Sequence, residues 1–189
     1  MAALTRADGR LTARPLLRVA VAGPESSGKT ILSTSLAEHF RTVFVPEASR
    51  AYYDSKGVVY EIGDILPIAR AQSASEQEMA PRARGFLVLD TDLLTVAVWS
   101  HVLYGGCPAE AEAMAAAQRV DLTLLLRPDL PWTYDPQRCH PELSQREDFF
   151  ERLQDGLTRL GRPFTIVGGD GSERFAAARS AVDALLAGR

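Results

Sequence analysis

The sequence has little cysteine, no long apolar run and almost no excess of charge. Its two cysteines, Cys107 and Cys139, lack the paired spacing of a disulfide framework or a structural zinc site, so neither is expected and a reducing compartment fits. The three histidines also lack metal-ligand spacing and are interpreted as incidental. No stretch approaches the roughly 18 consecutive apolar residues of a membrane span. We therefore expect a soluble, cytoplasmic protein without a membrane partner.

Charge and length narrow the classes of protein further. The 21 basic and 24 acidic side chains leave a net charge of −3, which gives no global field to hold a polyanion, so a nucleic-acid partner is not expected. A length of 189 residues is typical of one domain. We expect a single domain over residues 16–189, preceded by an N-terminal arm, residues 1–15, without order.

From Leu16 onward, short apolar runs alternate with longer amphipathic segments, which is typical of βα units around a parallel sheet. Each run is nearly apolar throughout, as expected for strands that helices cover on both faces. The predicted strands are Leu17–Ala22, Val43–Val45, Phe86–Asp90, Leu122–Leu126 and Phe164–Val167. The pattern therefore indicates the α/β class.

Helices are predicted at Thr30–Phe40, at about Asp64 to Arg84 with interruptions near Pro67 and Pro81, and at Asp148–Leu160. The segment 129–146 differs, because its prolines forbid a long regular helix while it carries aromatic, acidic and arginine side chains. We interpret this segment as a lid.

The strongest functional signal is the run Gly23-Pro24-Glu25-Ser26-Ser27-Gly28-Lys29-Thr30, which satisfies G-x-x-x-x-G-K-[ST] between an apolar strand and an amphipathic helix. Its glycines let backbone N–H groups point inward and cradle phosphate at the positive end of the helix. Lys29 is expected to reach the β- and γ-phosphates, and the Thr30 hydroxyl to ligate Mg²⁺. No Asn-Lys-x-Asp motif is present, so a preference for GTP is not supported. The predicted nucleotide-binding residues of this loop are Gly23, Glu25, Ser26, Ser27, Gly28, Lys29 and Thr30.

Carboxylates follow two further predicted strands. Asp90 ends the run Phe86–Asp90 in the form of a Walker B strand and is predicted to hold Mg²⁺. Glu47 and Asp92 are both candidates for the catalytic base that orients an acceptor hydroxyl. The structural alternatives are a salt bridge from Glu47 to Arg50, and a helix N-cap at Asp92.

Five blocks of the sequence carry a family resemblance, and they are 24–30, 45–50, 68–72, 90–95 and Pro131-Trp132 with Asp135 and Arg138. Together they resemble the ribosylnicotinamide kinase domain of the NadR family. The resemblance implies a P-loop kinase fold with parallel strand order 2-3-1-4-5, and transfer of the γ-phosphate of ATP to the 5′-hydroxyl of nicotinamide riboside, giving nicotinamide mononucleotide. Fifteen residues before the first strand leave no room for the other domains of longer family members, so a standalone kinase domain is expected.

The remaining site predictions combine this resemblance with the chemistry of a flat pyridinium cation, which favours aromatic faces and carboxylates. In the lid, Arg138 and Arg146 are expected to move onto the phosphates. Arg138 is also predicted to be a catalytic residue. The adenine is expected near Gly168, by resemblance to other P-loop kinases. Predicted acceptor-binding residues are Glu47, Arg50, Gln72, Asp92, Tyr104, Trp132 and Asp135.

Two other functions stay open from the sequence. The first keeps the fold and changes the acceptor to another nucleoside or a vitamin alcohol. The second is a nucleotide-dependent ATPase or switch module that reports its state to a partner.

Overall fold

The computed structural model describes residues 4–7, 10–13, 15–57 and 59–188 of the chain. Strands β1 (Leu4–Ala7) and β2 (Arg10–Ala13) pair antiparallel in a separate two-stranded sheet. These eight residues have strand structure where the sequence predicts an arm without order. Residues 1–3, 8, 9 and 14 of that arm lie outside the described residues.

The main sheet has five parallel strands in the order β4-β5-β3-β6-β7. Counted within this sheet alone, the order is 2-3-1-4-5, so the predicted fold class and strand order are confirmed. Four strands have their predicted bounds, and the second begins one residue later than predicted. The strands are β3 (Leu17–Ala22), β4 (Phe44–Val45), β5 (Phe86–Asp90), β6 (Leu122–Leu126) and β7 (Phe164–Val167).

The central strands are buried on both faces, which explains their continuous apolar sequences. In β3, Val19 and Val21 face one side and pack with Leu32 and Leu36, while Ala20 packs on the other side. All five residues of β5 and of β6 are buried. Their burial fixes the sheet as the core that holds the connecting loops in place.

Seven α-helices connect or flank the strands in the described part of the chain. They are α1 (Lys29–Phe40), α2 (Ala48–Lys56), α3 (Ile65–Met79), α4 (Leu93–Tyr104), α5 (Ala109–Ala117), α6 (Leu143–Arg159) and α7 (Gly171–Ala187). None of the helices described is both long and apolar enough to cross a membrane.

The helix predictions are corrected at one proline and at one boundary, and they are confirmed at a second proline. Pro67 does not interrupt α3, because it is the third residue of the helix, where its missing N–H would have no intrahelical acceptor. Pro81 does lie in a break, since Ala80–Arg82 is a 3-10 turn after α3. Helix α6 begins at Leu143, five residues earlier than predicted, behind a capping box of Glu142 and Gln145.

The parallel sheet brings three loops to one edge. The loop after β3, the end of β5 and the start of α2 after β4 all lie at the carboxyl ends of adjacent strands. Val21 of β3 is in register with Asp90 of β5, and the Thr91 amide donates to the Val21 carbonyl at 3.1 Å. Ligands of open α/β sheets bind at this edge.

Candidate active site

The loop from Gly23 to Thr30 joins β3 to α1 in a conformation that requires glycine at both ends. Gly23 has φ +153°, and a Cβ there would lie 2.9 Å from the Leu126 carbonyl oxygen. Gly28 has φ +84° and forms the N-cap of α1. The loop also bonds to itself, because the Ser27 hydroxyl donates to the Pro24 carbonyl at 2.8 Å. The sequence thus fixes a tight anion cradle at the N-terminus of α1.

Lys29 is the first residue of α1, and its ammonium lies across this loop. Its Nζ donates to the carbonyls of Gly23 at 3.0 Å and Pro24 at 2.9 Å. Burial lowers the pKa of Lys29, and the carboxylates of Glu47 and Asp90 oppose this effect. The cation is therefore held where phosphate oxygens would lie against the cradle.

Asp90 and Thr30 form the oxygen-rich corner that was predicted to hold Mg²⁺. Thr30 hydrogen-bonds the Asp90 carboxylate, which is buried, and Oδ1 of Asp90 has no hydrogen-bond partner in the described structure. Burial raises the pKa of Asp90, while the bond from Thr30 and the charge of Lys29 oppose the rise. A buried carboxylate oxygen without a partner, beside a hydroxyl, is a donor set that fits a hard divalent cation.

A cavity of about 200 Å³ lies beside the loop. The loop residues Glu25 to Ile31 form one side of it, and an apolar and aromatic wall forms the other. Thr91 and the polar residues Glu47, Ser49, Arg50, Gln137 and Arg138 also line it. The wall consists of Tyr53, Tyr60, Ile65, Ile68, Val96, Trp99 and Leu103.

Glu47 and Arg50, both predicted acceptor-site residues, lie in the wall of this cavity. Glu47 accepts a hydrogen bond from Ser49 at 2.5 Å, and its carboxylate is 4.0 Å from the Arg50 guanidinium. Arg50 makes its closer ion pair with Asp135 at 2.7 Å. Burial lowers the pKa of Arg50, but the hydrogen bond to Asp135 and the charge of Glu47 outweigh this effect. The pKa of Arg50 is therefore raised from its ordinary value. Glu47 thus lies in the cavity wall, and its distance from Arg50 also allows the salt bridge that is the alternative to a catalytic role.

The lid segment, residues 127–142 between β6 and α6, has no helix or strand and docks on the loop. Arg138 donates to Ser26 Oγ at 3.0 Å. The Glu25 carboxylate accepts the backbone N–H groups of Cys139 at 2.9 Å and His140 at 3.0 Å, and the Trp132 indole N–H at 3.4 Å. The predicted lid, 129–146, thus extends four residues too far, because 143–146 belong to α6.

Thr91 was not predicted as a site residue, yet it has the backbone geometry of one. It is a β-branched residue at φ +83°, it is buried, and its hydroxyl has no partner in the described structure. Strain of this kind costs on the order of 1–3 kcal/mol and concentrates at functional sites. Because Thr91 lines the cavity, its hydroxyl is a candidate contact for the acceptor.

Asp92 does not line the cavity, so its predicted catalytic and acceptor-binding roles stay predictions that this geometry does not support. It is fully buried and caps α4, accepting the Thr95 N–H at 2.9 Å and the Thr95 hydroxyl at 2.7 Å. Its other oxygen pairs with Arg162 at 3.2 Å. Both carboxylate oxygens have protein partners, so the geometry matches the N-cap alternative.

Four other predicted acceptor residues also lie outside the wall. Gln72 accepts the Ala48 N–H at 2.8 Å and positions the start of α2. Tyr104 packs among apolar residues of α3 and α5, with a buried hydroxyl that lacks a partner in the described structure. Trp132 contacts Glu25, and Asp135 pairs with Arg50, so both hold the lid segment rather than the cavity.

The two remaining ATP-site predictions are Arg146 and Gly168. Arg146 is buried in the first turn of α6 and donates to the Leu130 carbonyl at 3.0 Å. Gly168 follows β7, where a Cβ would lie 2.8 Å from Asp129 Oδ2. Neither lines the cavity. Their roles stay predictions.

Sequence reasoning missed Arg174, which links this region to the P-loop. Its buried guanidinium donates to the Ser27 carbonyl at 2.9 Å and the Gly169 carbonyl at 3.0 Å, and it pairs with Asp129. Ser27 is 147 residues away along the chain, so no local signal reveals the contact with the P-loop.

The parallel sheet and the glycine-bounded loop define a P-loop NTPase. Residues 18–174 match the family AAA_28, described as an AAA domain, and the chain belongs to that family. It is 28% identical over 143 residues to the trifunctional NAD biosynthesis/regulator protein NadR of Escherichia coli (strain K12). That alignment covers 74% of this chain and 35% of the relative, so the chain matches about a third of the relative's length.

Solved structures with the same fold agree. A crystal structure of NadR protein in complex with NAD and AMP-PNP matches with a TM-score of 0.74 and 25% identity, over 91% of this chain and 50% of that one. A deoxyadenosine kinase from M. mycoides matches with a TM-score of 0.59 and 13% identity, over 89% of this chain and all of that one. The fold is therefore that of P-loop kinases.

Proposed function

We propose that this protein is an ATP-dependent small-molecule kinase that phosphorylates the 5′-hydroxyl of nicotinamide riboside to give nicotinamide mononucleotide. The observation that carries the proposal is the cavity beside the phosphate cradle, with carboxylate and aromatic side chains in its wall. A nucleotide switch needs no such second pocket, whereas a kinase must hold an acceptor next to the γ-phosphate. The similarity to the NAD biosynthesis protein NadR supports the choice of acceptor.

The residues divide into a phosphate side and an acceptor side. On the phosphate side, the loop N–H groups and Lys29 bind and orient the ATP phosphates, and Thr30 and Asp90 would hold Mg²⁺. Bound Mg²⁺ supplies positive charge to the phosphate oxygens. Arg138, already in contact with Ser26, adds positive charge as transfer proceeds.

On the acceptor side, Glu47 is the carboxylate that orients the hydroxyl and receives its proton late in the transfer. The rings of Tyr53, Tyr60 and Trp99 give the flat pyridinium cation an aromatic surface, which attracts cations. The docked lid excludes water, so that transfer to the acceptor prevails over ATP hydrolysis.

The test is a phosphoryl-transfer assay against a panel of acceptors. ATP consumption is measured with nicotinamide riboside, adenosine, deoxyadenosine, thymidine, a vitamin alcohol and no acceptor, and mass spectrometry identifies the product. We expect the largest rate with nicotinamide riboside, and a product heavier by one phosphoryl group. A faster rate with another acceptor would move the assignment to that substrate, and equal rates with and without acceptors would favour an ATPase.

The chain offers a matched control, because Lys29 and Lys56 are its two lysines. Lys29→Ala should abolish transfer, since the ammonium balances charge that grows on the phosphates. Lys56→Ala removes an ion pair with Glu61 and Asp64 away from the cavity and should retain transfer. A folded Lys29→Ala variant with normal turnover would remove the P-loop from the mechanism.

A further inference from the structure

Three potential metal ligands of different chemistry meet where the lid segment contacts the P-loop. They are a carboxylate oxygen of Glu25, the Sγ of Cys139 and a ring nitrogen of His140, and all lie within 4.8 Å of one another. Cys139 Sγ is 3.7 Å from Glu25 Oε1 and 3.8 Å from His140 Nδ1. This cluster differs from the oxygen-rich corner of Thr30 and Asp90, because it contains a thiol and an imidazole.

The spacing is close to that of a tetrahedral metal site. A tetrahedral Zn²⁺ with bonds of roughly 2.3 Å to sulfur and 2.1 Å to nitrogen or oxygen places such ligand atoms about 3.6 Å apart. The two sulfur distances, 3.7 and 3.8 Å, exceed this value by only 0.1 to 0.2 Å. The third separation, between the Glu25 carboxylate and the His140 ring nitrogen, is at most 4.8 Å, and a side-chain rotation that shortens it would complete three-ligand coordination.

The ligands are also held in place by their surroundings. The backbone N–H groups of Cys139 and His140 donate to the Glu25 carboxylate, so the residues that carry the other two ligands fix its orientation. The His140 ring stacks on Trp99 with centroids 4.9 Å apart and an angle of 16°. A carboxylate has about four acceptor positions, and beside the three N–H donors the Cys139 thiol is the fourth donor to Glu25. Such outer contacts orient the ligands of metal sites.

We propose that Glu25, Cys139 and His140 form a binding site for a thiophilic divalent cation of the Zn²⁺ class. Sulfur and imidazole ligands select Zn²⁺ over Mg²⁺, which takes oxygen ligands and retains its water. Coordination replaces the thiol proton, which leaves to solvent, and a fourth position stays open to water. Because Glu25 belongs to the P-loop and the other two ligands to the lid segment, the bound cation holds the lid closed.

The first test measures metal binding by the full chain in the absence of nucleotide. Calorimetry with Zn²⁺ should give one site per chain, and Co²⁺ should give a sulfur-to-cobalt charge-transfer band in the near ultraviolet. Cys139→Ser should abolish the band and weaken Zn²⁺ binding on the order of tenfold or more. Cys107→Ser, which changes the other cysteine, should retain both signals. Equal binding by wild type and Cys139→Ser, or loss of the band in Cys107→Ser alone, would overturn the proposal.

A second pair of variants tests whether Zn²⁺ binds the His140 imidazole in particular or any histidine of the chain. His140→Ala should weaken Zn²⁺ binding as Cys139→Ser does, while His39→Ala, on α1, should not. Excess Mg²⁺ should leave the cobalt band unchanged, since this cation does not compete for thiolate. Displacement of Co²⁺ by Mg²⁺ would contradict the proposed ligand set.

The closing of the lid has its own readout, which is independent of activity. Trypsin cleaves after Arg138, within the lid segment, and Zn²⁺ should slow this cleavage in wild type but not in Cys139→Ser. If Zn²⁺ binds and leaves the rate of cleavage unchanged, the cation does not hold the lid.

Discussion

The guanidinium of Arg138 donates a hydrogen bond to the hydroxyl of Ser26 at 3.0 Å, across 112 residues of sequence. A lid arginine is thus already bound to the phosphate cradle. It also donates to the Thr133 carbonyl at 2.5 Å, which orients it from within the lid segment. Its charge therefore lies beside the phosphate cradle.

Replacement of this arginine should mainly affect the chemical step. We expect Arg138→Ala to lower kcat on the order of 10²–10³-fold, because a preorganised donor to developing charge is lost. The KM for ATP should change far less, since the P-loop still binds the phosphates. Steady-state kinetics with Arg179→Ala, an exposed residue of α7, as the control checks this prediction. An unchanged kcat would show that the segment is only a connector.

Replacement of each candidate carboxylate, Glu47 and Asp92, by its amide should affect a different property of the protein, kcat in one case and stability in the other. Glu47→Gln should lower kcat with little loss of stability, because Glu47 lines the cavity and is partly exposed. Asp92→Asn should instead lower the free energy of unfolding by about 3 kcal/mol, since it leaves the buried Arg162 without its charged partner. Urea unfolding and kinetics on both variants measure the split. A stable but inactive Asp92→Asn would return the catalytic role to Asp92.

Two tyrosines provide a matched test of the acceptor pocket. The hydroxyls of Tyr60 and Tyr104 are both buried without a partner in the described structure, but only Tyr60 lines the cavity. Tyr60→Phe should raise the KM for nicotinamide riboside roughly 2- to 12-fold, the value of one hydrogen bond of about 0.5–1.5 kcal/mol. Tyr104→Phe should leave that KM unchanged. The reverse result would place the acceptor against Tyr104, as the sequence suggested.

Glu76 on α3 should make stability depend on pH. Burial raises the pKa of Glu76 from 4.5 to about 7, although the hydrogen bond from Gln118 and the charge of Arg18 oppose the rise and Asp92 adds to it. The folded state binds the proton more tightly than the unfolded state. The resulting stabilisation is therefore complete below about pH 4.5 and is lost as the pH rises to about 7.

The measurement is urea unfolding of wild type and Glu76→Gln from pH 5 to pH 8. The free energy of unfolding of the wild type should fall by up to about 1.4 kcal/mol per pH unit in this window relative to the variant, because the glutamine at position 76 does not titrate. Gln118 donates to Glu76 at 2.6 Å, and the glutamine amide oxygen can accept the same bond. Parallel stability curves would show that Glu76 does not titrate in this range.

The sequence predicted best where one local pattern determines the outcome. Leu122–Leu126 and Phe86–Asp90 are nearly apolar runs, as expected for strands buried on both faces, and their bounds are confirmed. Pro67 was misjudged because its effect depends on its position from the helix start, which the sequence leaves uncertain by several residues. An aspartate after a strand is equally compatible with a base and with an N-cap, and the choice at Asp92 required its partner Arg162.

The candidate site was only partly predictable, because its walls come from distant segments. The phosphate cradle is local and was visible in eight residues. The pairing of Glu25 with Cys139 spans 114 residues, and neither partner has a spacing that indicates the other. The aromatic wall combines α2, the following loop and α4, whose faces are set by packing rather than by a motif.

The hydrogen bonds between Glu25 and the lid segment determine which substitutions in that segment preserve the contact. Two of the hydrogen bonds that Glu25 accepts come from main-chain N–H groups, at positions 139 and 140, which every residue except proline provides. Related chains can thus replace both side chains freely and keep the same closure, provided that the acidic residue remains at position 25. Substitutions at these positions would remove the thiol and the imidazole but not the backbone N–H groups. A related chain could therefore lose the proposed Zn²⁺ site and still keep its lid segment bound to Glu25.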